Sequence, residues 1–237
     1  MRFECVSRTH VGLKRKINED SILVETGRGL WAVADGMGGH EAGEVASAAA
    51  VDALRRLPAI GDLDELVAEA TEALRGANAQ LIALAQSNRS ERTIGTTVVG
   101  IAIADGHFRC FWAGDSRAYR LRGGAIVRLS RDHSLVQDLV DAGMIKPEEA
   151  ERHENSNVIT RAVGVREVLE VDSVGGDAEP GDMFLLASDG LTRLVDDREL
   201  AAELGNGSLD EVAHRLLETV LARGAPDNVS LIIVRLI

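Results

Sequence analysis

Residues 95–115 read GTTVVGIAIADGHFRCFWAGD. Two apolar, strand-like runs, Gly95 to Ala104 and His107 to Ala113, flank the pair Asp105-Gly106. Asp-Gly between such runs signals a tight antiparallel hairpin, because both turn positions need residues that tolerate positive φ. The same punctuation recurs outward from this point. Upstream, Ser21 to Glu25 and Leu30 to Ala34 are joined by Thr26-Gly27-Arg28-Gly29. Downstream, Ala118 to Arg122 and Ala125 to Leu129 flank Gly123-Gly124. Met183 to Ala187 reads as a strand after the turn Glu179-Pro180-Gly181-Asp182, and Val229 to Ile237 as a final strand. Helical spacing of apolar residues marks Glu41 to Leu57 and Leu63 to Ala85, separated by Pro58 to Gly61. Leu135 to Glu151 reads as helix interrupted around Gly143 and Pro147, and Leu209 to Arg223 as helix. Hairpins dominate and βαβ alternation does not, which argues against a purely parallel sheet. The pattern predicts antiparallel sheets packed together with helix pairs covering the outside.

The chain has 237 residues, enough for a core that needs no disulfide staples. Its two cysteines, Cys5 and Cys110, form no C-x-x-C pair and read as reduced, buried thiols of a cytosolic protein. No apolar run approaches the length of a membrane span, and residues 1–11 lack the apolar segment of a signal peptide. With 38 acidic against 26 basic residues the formal net charge is −12, and no basic stripe suggests a nucleic-acid partner. An acidic chain that handles phosphate must reverse its local field, which bound divalent cations do.

The acids fall at strand ends. Glu19 and Asp20 precede the strand from Ser21, and Asp35 follows the one ending at Ala34. Asp115 lies one glycine beyond Ala113, Asp189 follows Ala187 and Ser188, and Asp227 precedes the last strand. Strand ends hold side chains on a rigid frame within reach of a cleft. Clustered carboxylates repel one another unless a cation sits among them, and an all-oxygen donor set suits Mg²⁺ or Mn²⁺. One Asp-Gly pair is usually only a turn, as Asp105-Gly106 is. The others gain weight as a set.

Those patterns resemble the protein phosphatase type 2C family, the metal-dependent PPM phosphatases, from Gly12 onward over essentially the whole chain. The matching segments are Gly12-Leu13-Lys14-Arg15-Lys16-Ile17-Asn18-Glu19-Asp20, Ala34-Asp35-Gly36-Met37-Gly38-Gly39-His40, Gly95-Thr96-Thr97 and Gly114-Asp115-Ser116-Arg117-Ala118-Tyr119. Asp132-His133-Ser134, Thr160-Arg161-Ala162-Val163-Gly164, Ser188-Asp189-Gly190-Leu191 and Asp227-Asn228-Val229-Ser230 follow in family order. Each is weak alone; together, in order, they are highly specific.

The resemblance implies an α+β fold, a four-layer α-β-β-α sandwich of two mostly antiparallel sheets, with residues 1–237 as one catalytic domain and a flap at about 134–163. It implies hydrolysis of phosphoserine and phosphothreonine in proteins by a water activated between two Mn²⁺ or Mg²⁺ ions, without a phosphoenzyme. Asp35 would bridge the ions, Asp189 and Asp227 would complete the first site, and the Gly36 carbonyl would bind the second, with Glu19 and Asp20 acting through waters. A third, weaker ion would use Asp115 and Asp189, and Arg15 would hold the substrate phosphate. Implied partners are a bacterial serine/threonine kinase and its targets, with the chain a cytoplasmic monomer. Eukaryotic relatives place a candidate general acid where Met37 stands, which leaves His40, a metal-bound water or solvent for that role. His10, His107, His153 and His214 read as ordinary residues, Trp31 and Trp112 as core, and Asn228 and Ser188 as turn-shaping.

Three competing readings carry tests. Gly114-Asp115-Ser116 mimics a serine nucleophile elbow, which needs a helix after the serine, where a strand is predicted. Gly36-x-Gly38-Gly39 between strand and helix suggests phosphate binding, but lacks the full dinucleotide spacing. A catalytically dead phosphoprotein-binding module would be expected to lose metal carboxylates, yet Asp35, Asp189 and Asp227 are all present.

Overall fold

The computed structural model describes residues 2–38, 42–58, 61–87, 93–150 and 153–237. In chain order these form β1 (Phe3–His10), β2 (Asp20–Glu25), β3 (Leu30–Met37), α1 (Ala42–Arg55), α2 (Leu63–Ser87), β4 (Gly95–Thr96), β5 (Val98–Ala104) and β6 (His107–Ala113). Next come β7 (Arg117–Arg122), β8 (Ala125–Arg128), α3 (Leu135–Asp141), α4 (Pro147–Ala150), β9 (Asp172–Asp177) and β10 (Met183–Ala187). The chain closes with α5 (Asp189–Thr192), α6 (Asp197–Leu204), α7 (Leu209–Ala222) and β11 (Val229–Leu236).

One sheet runs β1-β11-β10-β7-β8, the other β2-β3-β5-β6-β9 with β4 added to the end of β3. Every pairing is antiparallel. The opening hairpin forms as its turn chemistry dictates: Asp105 and Gly106 both take positive φ, 48° and 77°. The sheets pack face to face through Trp31, Val33, Ile101, Phe184, Ile232 and Val234. Helices α1 and α2 cover one outer face, burying Ala46, Ala50, Leu54, Leu66, Leu74 and Leu81 against Leu30 and Phe111. Helices α6 and α7 cover the other, with Leu200, Val212, Leu216 and Val220 against Leu231 and Ile233. The architecture is therefore the expected four-layer α-β-β-α sandwich. It explains the unbroken apolar run Leu231 to Val234 in β11: Ile232 and Val234 face the other sheet while Leu231 and Ile233 face the helices.

Four departures from the sequence reading have physical reasons. β1 is a half-buried edge strand whose charged residues hide its period, and it is held by eight register positions on β11. β9, DSVGGD, carries two glycines that lower strand propensity, and it pairs only with β6. The run from Gly95 splits at Thr97, whose N–H leaves the ladder to donate to the Asp35 carbonyl at 2.8 Å. Helices α5 and α6 are short; α6 is started by a capping box between Asp196 and Glu199. Leu135 to Glu151 resolves into α3 and α4, with Glu151 outside the described residues. Trp31 and Trp112 are buried in the core. Among the described residues no helix is long and apolar enough to cross a membrane.

Candidate metal centre

The register of β2 on β3 sets Asp20 directly opposite Asp35. Asp189 opens α5 one residue beyond β10, Asp227 lies just before β11, and Asp115 lies in the turn from β6 to β7. All five acids thus collect at one end of the paired sheets. Ser188 Oγ donates to Asp20 Oδ2 at 3.0 Å, tying the two sheets together at that end. Glu19 arrives beside them: its backbone carbonyl accepts from Gly36 N–H at 3.1 Å, and its carboxylate accepts from Gly43 N–H at 3.2 Å. A Cβ on Gly36 would stand 2.1 Å from the Gly43 carbonyl, so only glycine lets β3 and α1 meet there.

Like charge brought together out of water stays protonated. Burial, then Asp189, Asp20, Asp115 and Asp227, push the half-buried Asp35 well above the ordinary carboxylate range. Burial first, with Asp189 and Asp227 adding, raises Asp20 to about 7. Burial, Asp189 and Asp132 raise Asp115 to about 7 against the pull of Arg193 and Arg117. Asp189 is raised too, by burial and Asp227, although Arg193 and a hydrogen bond with Asp35 oppose the shift.

Two buried oxygens, Asp20 Oδ1 and Asp115 Oδ1, have no hydrogen-bond partner. An ionised carboxylate oxygen can only accept, so each calls for a cation, a water or a proton. Among the described residues no three acid, histidine or cysteine side chains close around a single point at ligand distance. Two of the carboxylates turn instead onto arginines: Asp227 takes Arg15 at 2.8 Å and Asp189 takes Arg193 at 2.8 Å. The acids nevertheless sense one another's charge across one cleft, and hard oxygen donors with orphaned lone pairs fit divalent magnesium or manganese.

The model for protein phosphatase 2C matches residues 10–226. The chain belongs to the protein phosphatase 2C family. Over 227 residues it is 39% identical to the serine/threonine protein phosphatase PstP of Mycobacterium tuberculosis, a match that spans 96% of this chain and 44% of that protein. The chain therefore covers less than half the length of that relative. Among solved structures, PppA, described as a key regulatory component of T6SS in Pseudomonas aeruginosa, is 42% identical with a TM-score of 0.91, covering 99% of this chain and 98% of that one. The catalytic domain of PstP in complex with two manganese ions is 37% identical with a TM-score of 0.86, covering 98% and 97%.

Within this 2C-type phosphatase, several groups do more than their sequence context suggested. Asn228, read as turn-shaping, clamps the loop that carries Arg15. Its Nδ2 donates to the Val11 carbonyl at 2.9 Å and the Ile17 carbonyl at 3.0 Å, and its Oδ1 accepts from Glu19 N–H at 2.8 Å. Thr96 and Thr97 seat Asp35: Thr96 Oγ1 donates to the Asp35 carbonyl at 2.9 Å, and Asp35 N–H donates to Thr97 Oγ1 at 3.2 Å. The Asp132-His133-Ser134 segment is structural. Asp132 is held by Arg117 at 2.8 Å and by Arg128, His133 Nδ1 accepts from Gly114 N–H at 3.1 Å, and Ser134 caps α3. Ser116 is followed by strand β7 rather than a helix, which removes the nucleophile-elbow reading. Met37 ends β3, half-buried, and His40 lies outside the described residues.

Sequence reasoning missed Arg193. It lines a cavity of about 440 Å³ between segment 134–163 and helices α5 and α6, together with Asp115, Asp189, Gln137 and Ser156. The signal was its spacing of four from Asp189, an i,i+4 ion pair at the start of a short helix.

Proposed function

We propose that this chain hydrolyses phosphoserine and phosphothreonine in proteins, with divalent ions, Mn²⁺ or Mg²⁺, as cofactors. The observation that carries the reading is the shared cleft of Asp20, Asp35, Asp115 and Asp189, whose charges are incompatible without a cation. Asp35, Asp189 and Asp227 would hold one ion, Asp35 and the Gly36 carbonyl the second, with Glu19 and Asp20 acting through waters. Asp115 and Asp189 are candidates for a third, weaker ion. The two manganese ions in the PstP catalytic domain support the count of two. When bound, the ions supply Lewis-acid charge and a water acidic enough to yield hydroxide near neutral pH.

The chain's own groups bind and position. Arg15 is half-exposed at the rim and bonded to Asp227 through one terminal nitrogen, so its remaining donors can take a phosphate oxygen pair. Asn228 keeps that arginine in register by fixing both ends of its loop. The cysteines and Ser116 are poor nucleophiles: burial raises the Cys110 and Cys5 thiols, and Ser116 is hydrogen-bonded to Thr97 at 2.7 Å. This supports direct attack by water and no phosphoenzyme.

The reading extends to residues 1–237 as one catalytic domain with a flap at about 134–163, acting as a cytoplasmic monomer on targets of a bacterial serine/threonine kinase. The two free thiols support a reducing compartment. The test is phosphate release from a panel of phosphoserine, phosphothreonine and phosphotyrosine peptides, with Mn²⁺ and with chelator. Release from the first two that chelation abolishes is expected. Chelator-resistant release, or none from any peptide, overturns the reading.

A further inference from the structure

Arg193 is the one side chain that touches the acidic cleft and segment 134–163 together among the described hydrogen bonds. Its Nε forms an ion pair with Asp189 Oδ2 at 2.8 Å, one terminal nitrogen donates to Asp115 Oδ2 at 3.5 Å, and the other donates to Asn157 Oδ1. All three guanidinium nitrogens are thus used, on acceptors from α5, from the turn between β6 and β7, and from the segment beside the cleft. Asp115, 6% exposed, lines the cavity, and its Oδ1 has no partner among the described residues.

Two carboxylates facing one guanidinium, Asp115 buried and Asp189 partly buried, form a pair that a cation can serve, and here a cation of the chain itself serves it. A divalent ion bridging Asp115 and Asp189 would stand among the carboxylates that Arg193 contacts, and its charge would repel the guanidinium. The two are therefore mutually exclusive.

We propose that Arg193 is a built-in counter-cation: it limits the number of divalent ions the cleft accepts by holding Asp115 and Asp189, and it fastens segment 134–163 to the cleft through Asn157. This rests on the metal-dependent reading above. It makes Arg193 a positioning residue, which acts on the cleft through two carboxylates. Its consequence is that adding an ion at Asp115 and releasing the segment are one event, since both require Arg193 to leave.

The experiment is Mn²⁺ equilibrium dialysis with elemental analysis, together with hydrogen exchange of amides 153–161, on the wild-type chain, Arg193→Met, and Arg193→Met with Asp115→Asn. Arg193→Met is expected to bind about one Mn²⁺ more per chain than wild type and to exchange those amides at least tenfold faster. The added Asp115→Asn should return the count to the wild-type value while leaving exchange fast. If Arg193→Met does not fold, Arg193→Lys replaces it, because one ammonium cannot span both carboxylates and Asn157. An unchanged ion count in the folded variant overturns the proposal, as does a gain that survives Asp115→Asn. A wild-type chain that binds no Mn²⁺ overturns the metal-dependent reading itself, and this inference with it.

Discussion

Strand β10 is bracketed by two aspartates in opposite circumstances, Asp182 buried and Asp189 partly buried. At its start, Asp182 is 1% exposed and fully paired. Arg122 grips it with two nitrogens, each at 2.6 Å, and Glu179 N–H adds a bond at 2.9 Å. Burial alone would raise that carboxyl, but Arg122 and the Glu179 amide outweigh it and hold it below the ordinary range. Just past the other end, Asp189 meets Asp35 and Asp227, and its titration is raised. Arg122 outweighs the burial of the first aspartate, whereas at the second Arg193 is outweighed by burial and the neighbouring acids. A buried charge the chain compensates itself is structural; one it leaves surplus is prepared for something from outside.

The comparison can be broken most directly by Asp189→Ala. Phosphate release should fall by roughly 10³-fold or more, as expected when transition-state charge loses its stabiliser. The metal-free variant should be no less stable than wild type, since a repelled charge is gone. A chain that keeps a tenth of its activity, or melts earlier, refutes the contrast. At the other end of β10, Arg122→Met should cost about 3 kcal/mol, near the lower bound for breaking a buried pair because Arg122 is itself partly open to water. Urea denaturation measures it, and turnover per folded molecule should not change.

Mn²⁺ at about a hundredfold excess over its Kd should stabilise wild type by about 2.7 kcal/mol. Arg122→Met should keep that gain and Asp189→Ala should lose most of it, which a thermal melt with and without chelator reads. The smallest effect is in acid. Asp182 is depressed in the folded state, so its contribution is whole above the unfolded value of about 3.9 and fades as pH falls through the lower folded value. The gap between wild type and Arg122→Met should therefore narrow below about pH 3.9. A gap that stays constant across that window removes Arg122 as the cause.

The two ends of β10 also differed in how far they could be read beforehand. Asp189 stood in a motif that, with seven others, identified the family and the layered fold, and the hairpin turns at Asp105-Gly106 and Gly123-Gly124 announced themselves by composition. Asp182 looked like one more turn residue, because its partner Arg122 lies sixty positions away and only the pairing of β7 with β10 joins them. The same limit hid β1, which pairs with β11, and hid the role of Arg193, two of whose three partners, Asp115 and Asn157, come from distant stretches. Local chemistry shows in a linear chain; contacts made by register do not.

Strand β11 lies between β1 and β10, and Asp227 and Asn228 lead into it. On the ribosome, then, β1 emerges long before β11, the strand it pairs with. Neither the β1 edge of that sheet nor the clamp that Asn228 puts on the Arg15 loop can form before β11 has emerged. Completing the Arg15 loop is thus a late, long-range step, and the strand that waits for it is an open edge in the meantime.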